Sequence, residues 1–179
     1  MDKIVEAVRS FLFKEDGTNA FVILDGASVP DLLDKLYGPE SPEFECLYSG
    51  ELKPDLAEVA PYLVRLQPDS EFTQWVIEQG WGNHWGIFAL SPADLREMRH
   101  HFRRFLTVHD SSGKPLLFRY YDPRVLRAYL PTCNQEELST LFGAVTCYLL
   151  EGEKPEELLR FQVASGALVQ NKTPLQEMG

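Results

Sequence analysis

With 179 residues, 44% of them hydrophobic and 25% charged, the chain is long enough for one domain with a proper core and short for two. Its formal charge of −10 argues against nucleic-acid binding through phosphates, because an acidic surface repels them and gains nothing from counterion release. No apolar run reaches membrane-spanning length, and the N-terminal residues lack the basic region and long apolar segment of a signal peptide; the expected location is the cytoplasm, without membrane insertion.

Ile4, Val5, Val8, Phe11 and Leu12 share one face of a predicted amphipathic helix over residues 2–13. After a turn at Asp16-Gly17, residues 20–24 form a continuous apolar run, which suits a strand covered on both faces and stops at Asp25-Gly26. Pro30 opens a short helix carrying Leu32, Leu33 and Leu36, so strand, tight loop and helix follow in order. Residues 37–55 read as proline- and glycine-punctuated loops around a brief strand at 44–48, and residues 61–66 as another strand. Ser70 can cap the next helix, in which Phe72, Trp75 and Val76 point inward and Gly80 supplies the stop. A glycine-rich loop from Trp81 to Gly86 leads into a strand at 87–90.

Ser91-Pro92-Ala93-Asp94 is a helix start, with serine as the cap and proline in the first turn. Leu95, Met98, Phe102 and Phe105 form the buried stripe, leaving Arg96, Arg99, His100, Arg103 and Arg104 as a basic surface. Residues 105–109 turn extended, and Asp110-Ser111-Ser112-Gly113 fits a hairpin loop into a strand at 115–121. The period then switches: Asp122 accepts from free backbone N–H groups, Pro123 takes the first helical position, and Val125, Leu126, Tyr129 and Leu130 recur at helical spacing until Pro131. Asn134 with Glu137 is a capping-box start for a helix carrying Leu138, Leu141 and Phe142 and ending at Gly143. Residues 145–150 and 158–163 complete the strands. The class expected is α/β in the mixed α+β sense: a single domain over residues 1–165, a mixed β-sheet flanked by helices, and residues 166–179 as a frayed tail.

Catalytic chemistry is hard to assemble from this inventory. Cys46, Cys133 and Cys147 are too widely spaced for a metal motif and odd in number, so reduced, mostly buried thiols are expected. Adjacent His100 and His101 diverge on a helix, and neither His84 nor His109 completes a ligand set; no metal and no other cofactor is expected. Gly-x-Ser-x-Gly and a phosphate-binding glycine loop are both missing. Asp25, at the end of an apolar strand, is the best enzymatic candidate, against a simpler role as an Asp-Gly turn bonding local backbone. Arg119, Asp122, Arg124 and Arg127 crowd one strand-to-helix corner, either as a capped helix with an internal ion pair or as a polar docking surface. Trp75 falls in the core by register, whereas Trp81 and Trp85 suit either core or an exposed aromatic edge.

A set of ordered motifs carries a resemblance: FRYYDPRV at residues 118–125, preceded by RHHFRRFLTV at 99–108 and followed by LP at 130–131 and LFG at 141–143. Toward the N-terminus lie Leu24-Asp25-Gly26-Ala27, Pro61-Tyr62-Leu63-Val64, Trp81-Gly82 and Trp85-Gly86-Ile87-Phe88. Over roughly residues 20–150 the chain resembles the domain of unknown function found in type VI secretion adaptors. That resemblance implies a non-enzymatic adaptor or chaperone that binds a cognate secreted effector and helps load it onto the VgrG spike protein. Partner-binding candidates are then Arg96, Arg99, Arg103, Arg104, Arg119, Asp122, Arg124 and Arg127. Many members of that family carry a further variable C-terminal region, of which little is expected in the residues beyond Val163. Competing readings are a small hydrolase or nucleotide-binding enzyme centred on Asp25, and a toxin-neutralising immunity protein, since acidic domains of this size often cap basic enzymes.

Overall fold

The computed structural model describes residues 2–175. Its centre is β1, Asn19–Asp25, the apolar run expected to be covered on both sides. Alternation splits that run between two cores: Ala20, Val22 and Leu24 face one, Phe21 and Ile23 the other, and each of these five side chains is buried. Helices α1 (Asp2–Leu12), α2 (Leu32–Leu36) and α4 (Glu71–Gly80) supply Val8, Leu12, Leu36 and Val76 to the first core. On the opposite face α5 (Leu95–Arg103), α6 (Pro123–Tyr129) and α7 (Gln135–Phe142) supply Met98, Phe102, Leu126, Leu138 and Phe142. The architecture is helices, sheet, helices: a mixed α+β fold, as expected.

The sheet adds β2 (Phe44–Cys46), β3 (Pro61–Leu66), β4 (Gly86–Ser91), β7 (Cys147–Glu151), β8 (Glu157–Ala164) and β9 (Ala167–Pro174), in the order β2-β3-β1-β4-β7-β8-β9. Every neighbouring pair is antiparallel, not the mixture of directions expected. A continuous apolar run reports burial on both faces, and burial carries no information on the direction of the neighbouring strand. Close approach of β4 to β1 requires Gly86, since a Cβ there would collide with the Ile23 carbonyl.

The expected frayed tail is also corrected. Residues 167–174 form β9, paired with β8 along its whole length around a two-residue turn, Ser165-Gly166, with both residues at positive φ. Residues 176–179 lie outside the described part. One short helix, α3 (Pro54–Glu58), was not expected, and it has no buried residue.

Three helix starts separate right caps from a wrong one. Asp122 caps α6 and Asn134 closes a full capping box with Glu137, both as expected. Ser91, however, belongs to β4, where its hydroxyl donates to the Ala144 carbonyl (2.7 Å), and Asp94 caps α5 by accepting from the Glu97 N–H (2.8 Å). The strand expected over 115–121 stops early. β5 (Thr107–His109) and β6 (Pro115–Leu117) make a separate two-stranded hairpin, and Phe118 N–H donates to the Leu106 carbonyl (2.9 Å) just beyond it. Tyr120 and Tyr121 then turn inward together, which a strand would forbid; Tyr120 stacks on Phe102 and its hydroxyl donates to the Phe102 carbonyl (2.9 Å).

Candidate functional site

Antiparallel order brings the C-terminal ends of β1 and β7 and the N-terminal end of β4 to the same end of the sheet. Three buried carboxylates belong to this corner: Asp25 at the end of β1, Glu151 at the end of β7 and Asp122 at the start of α6. A buried charge is tolerated only with a partner and hydrogen bonds. Asp25 pairs with the Arg119 guanidinium and also accepts from the Ser28 hydroxyl (2.9 Å) and the Ala27 N–H (3.2 Å). The bond to Asp25 raises the Arg119 pKa further. Asp122 accepts the Arg124 N–H (2.9 Å) as helix cap and takes the same residue's guanidinium through Nε (3.0 Å) and Nη2 (2.7 Å). Burial pushes the Asp122 carboxyl up, but the bonds from Arg124 outweigh it and hold the pKa below the usual value. Glu151 meets the His84 imidazole and accepts from the Gly82 N–H (2.6 Å), while Arg127 donates to the Gly152 carbonyl (2.7 Å).

Arg119, Asp122, Arg124 and Arg127 therefore do converge, and each is engaged within the fold, Arg119 and Arg124 by ion pairs and Arg127 by backbone carbonyls. Arg119 reaches across to Asp25, a partner ninety-four positions away, and Arg124 is the residue that engages Asp122. Sequence reasoning missed Glu151 and His84. No local signal in the sequence marked them; in the structure His84 adopts φ 59° within the glycine-punctuated loop. Asp25 bonds Ala27 and Ser28 as an Asp-Gly turn does, and its second oxygen is taken by Arg119 and Ser28.

The basic helix is arranged differently. Arg99 is engaged, donating to the Cys46 carbonyl (3.2 Å) and pairing with Glu45 (3.1 Å). Arg96, Arg103 and Arg104 make no ion pair among the described residues; Arg96 and Arg104 are exposed and Arg103 half-buried. Immediately after this helix the β5–β6 hairpin exposes Val108, Leu116 and Leu117. Val108, Phe105, Phe118 and Tyr129 also line a groove of about 370 Å³ whose far wall is α7, with Glu136 and Glu137 at its rim. The exposed aliphatic side chains of the hairpin thus follow directly on the helix end that carries Arg103 and Arg104.

His101 points the other way, into the core. Its Nε2 donates to the Leu141 carbonyl (3.0 Å), and burial lowers its pKa. Trp85 is buried; Trp75, expected in the core, is only half-buried and packs tilted against Trp85 with ring centres 4.9 Å apart, while Trp81 donates its indole N–H to the Pro155 carbonyl (2.7 Å). The cysteines are free, with Cys147 buried and the other two half-buried. Among the described residues no group of three or more His, Cys, Asp or Glu side chains is placed to hold a metal, and no helix is long and apolar enough to cross a membrane.

Comparison with known proteins finds no matching curated protein and no matching solved structure. A family model does match, over residues 20–140, more than half of the chain and the stretch that holds β1, the basic helix and the Asp122 corner. The chain belongs to the family described as Domain of unknown function (DUF4123).

Proposed function

We propose that this chain is a non-enzymatic adaptor of type VI secretion, acting in the cytoplasm to bind a cognate effector and help load it onto the VgrG spike. Family membership supports the setting. The observation that carries the reading is the α5 face, where Arg96, Arg103 and Arg104 have no acidic partner among the described residues in a chain of net charge −10. A chain with that excess of carboxylates has ample acids to neutralise three arginines. Leaving them free beside the apolar β5–β6 hairpin suits capture of an acidic, partly apolar surface, with charge setting encounter rate and specificity.

The test is a tagged pull-down from the native cell at low and moderate salt, comparing the natural chain with the Arg103→Glu/Arg104→Glu variant. The natural chain recovers VgrG together with one large effector. The variant loses the acidic partner, with the difference from the natural chain largest at low salt, where charges are least screened, while its melting temperature stays nearly unchanged. Recovery of neither partner from cells that express both refutes the adaptor reading; full capture by the variant removes α5 from it.

A further inference from the structure

The two edges of the main sheet are handled in opposite ways. β2 presents three residues, and α5 closes over it through the bonds of Arg99 to Glu45 and Cys46. β9 presents eight residues, pairs among the described residues with β8 alone, and leaves Ala167, Val169, Gln170, Asn171, Lys172 and Pro174 exposed. Long open edges are pairing templates, and folded proteins usually blunt them.

Hairpin register decides which backbone groups that edge offers. Residues flanking a two-residue turn exchange both ladder bonds, so Ala167 faces Ala164, and Val169, Asn171 and Thr173 follow it toward β8. Leu175 keeps the same parity, donating its N–H to the Glu156 carbonyl (2.8 Å). The N–H and C=O groups of Leu168, Gln170 and Lys172 therefore point outward. Pro174 is the next outward position, where its missing donor interrupts nothing in the fold.

This edge is its own complement. With a two-fold axis on Gln170, an antiparallel second strand sets Gln170 against Gln170 and Leu168 against Lys172, and each outward residue both donates and accepts. No like charges meet, because the lysine lies opposite a leucine and is already neutralised by Glu157 (2.6 Å). We infer that a second copy of this chain pairs across β9, extending the sheet through the dyad. Strand pairing alone buries less than a standard interface, so the dimer is weak and exchanges readily.

Sedimentation velocity on the full chain tests this, up to about 100 µM, a range suited to a small interface. The natural chain sediments as a monomer–dimer mixture shifting to dimer with concentration. Gln170→Pro removes an outward N–H that β8 does not use; it stays monomeric throughout with an unchanged circular dichroism spectrum. Gln170→Lys and Gln170→Glu place like charges face to face and each raise the dissociation constant up to about fivefold, whereas their equimolar mixture restores association. A natural chain that is monomeric at the highest concentration, a Gln170→Pro variant that still dimerises, or a mixture no tighter than its components overturns the inference. Capture of a partner's extended segment by a monomeric natural chain overturns it too, assigning the edge to a different strand.

Discussion

Replacing Arg119 by alanine separates framework from docking at the sheet end. Asp25 is 2% exposed and loses its only ion-pair partner among the described residues, keeping the Ser28 hydroxyl and the Ala27 N–H. Removing one partner of a fully buried ion pair costs about 3–5 kcal/mol. The Arg119 side chain, however, is 44% exposed, so water screens the pair and enters the space left behind, and the exposed limit is below about 1 kcal/mol. Between these limits the expected loss is about 1–3 kcal/mol, which for a domain of this size lowers the melting temperature by roughly 2–4 °C per kcal/mol. Urea unfolding followed by tryptophan fluorescence reads it as a lower midpoint at unchanged slope. The double variant with Asp25→Asn, which removes the buried charge, recovers about 1 kcal/mol or more relative to the sum of the singles. Arg119→Ala costing under about 0.5 kcal/mol, or singles that add within the same margin, refutes the framework role and returns Arg119 to the docking surface.

Asp122→Ala removes the α6 cap and leaves Arg124 unpaired, for an expected loss of about 1–2 kcal/mol in the same assay. Because the Asp122 carboxyl is held below its ordinary value, the unfolded chain takes up its proton first; this contribution is complete above the unfolded carboxylate range near ~3.9 and fades as pH falls through the folded value, a limb that Asp122→Asn flattens. His101 has the same sign at higher pH. Burial lowers its pKa, so stability is lost as pH falls below about 6.5, and His101→Gln, still able to donate to Leu141, removes that slope in urea titrations between neutral and mildly acidic pH. Gly143→Ala is destabilising by about 1–3 kcal/mol, because φ there is +48° and a new Cβ would lie 2.7 Å from His101 Cε1, measurable as a lowered urea midpoint.

Elements whose signals are local were legible in the residues. The caps at Ser70, Asp122 and Asn134 are side-chain-to-backbone contacts spanning two or three residues, so a short window contains both partners. Ser91 shows the limit of that logic: Ser91 and Asp94 are both good caps, and choosing between them depends on where β4 ends, which its pairing with β1 decides. β9 escaped because its residues 170–173 are polar and no apolar alternation marks an edge strand exposed on both faces. Of the arginines expected on a basic face, Arg96 and Arg104 are exposed while Arg99 and Arg103 are half-buried, and that Arg99 is spent on Glu45 follows from how β2 docks, fifty residues away in sequence. His84 and Glu151, sixty-seven positions apart, had no local mark at all.

The matched stretch ends at residue 140, inside α7, while three of the seven strands in the main sheet, β7, β8 and β9, follow it. Tyr148 and Phe161 from those strands fill the core beneath Phe102 and Phe142, and Glu151 anchors the loop that carries His84 and Gly82. What marks the chain's kinship and what must condense together are thus different lengths of polypeptide. A fragment trimmed to residue 140 would leave Phe88–Leu90 as a bare apolar margin, a species prone to clump before it can fold.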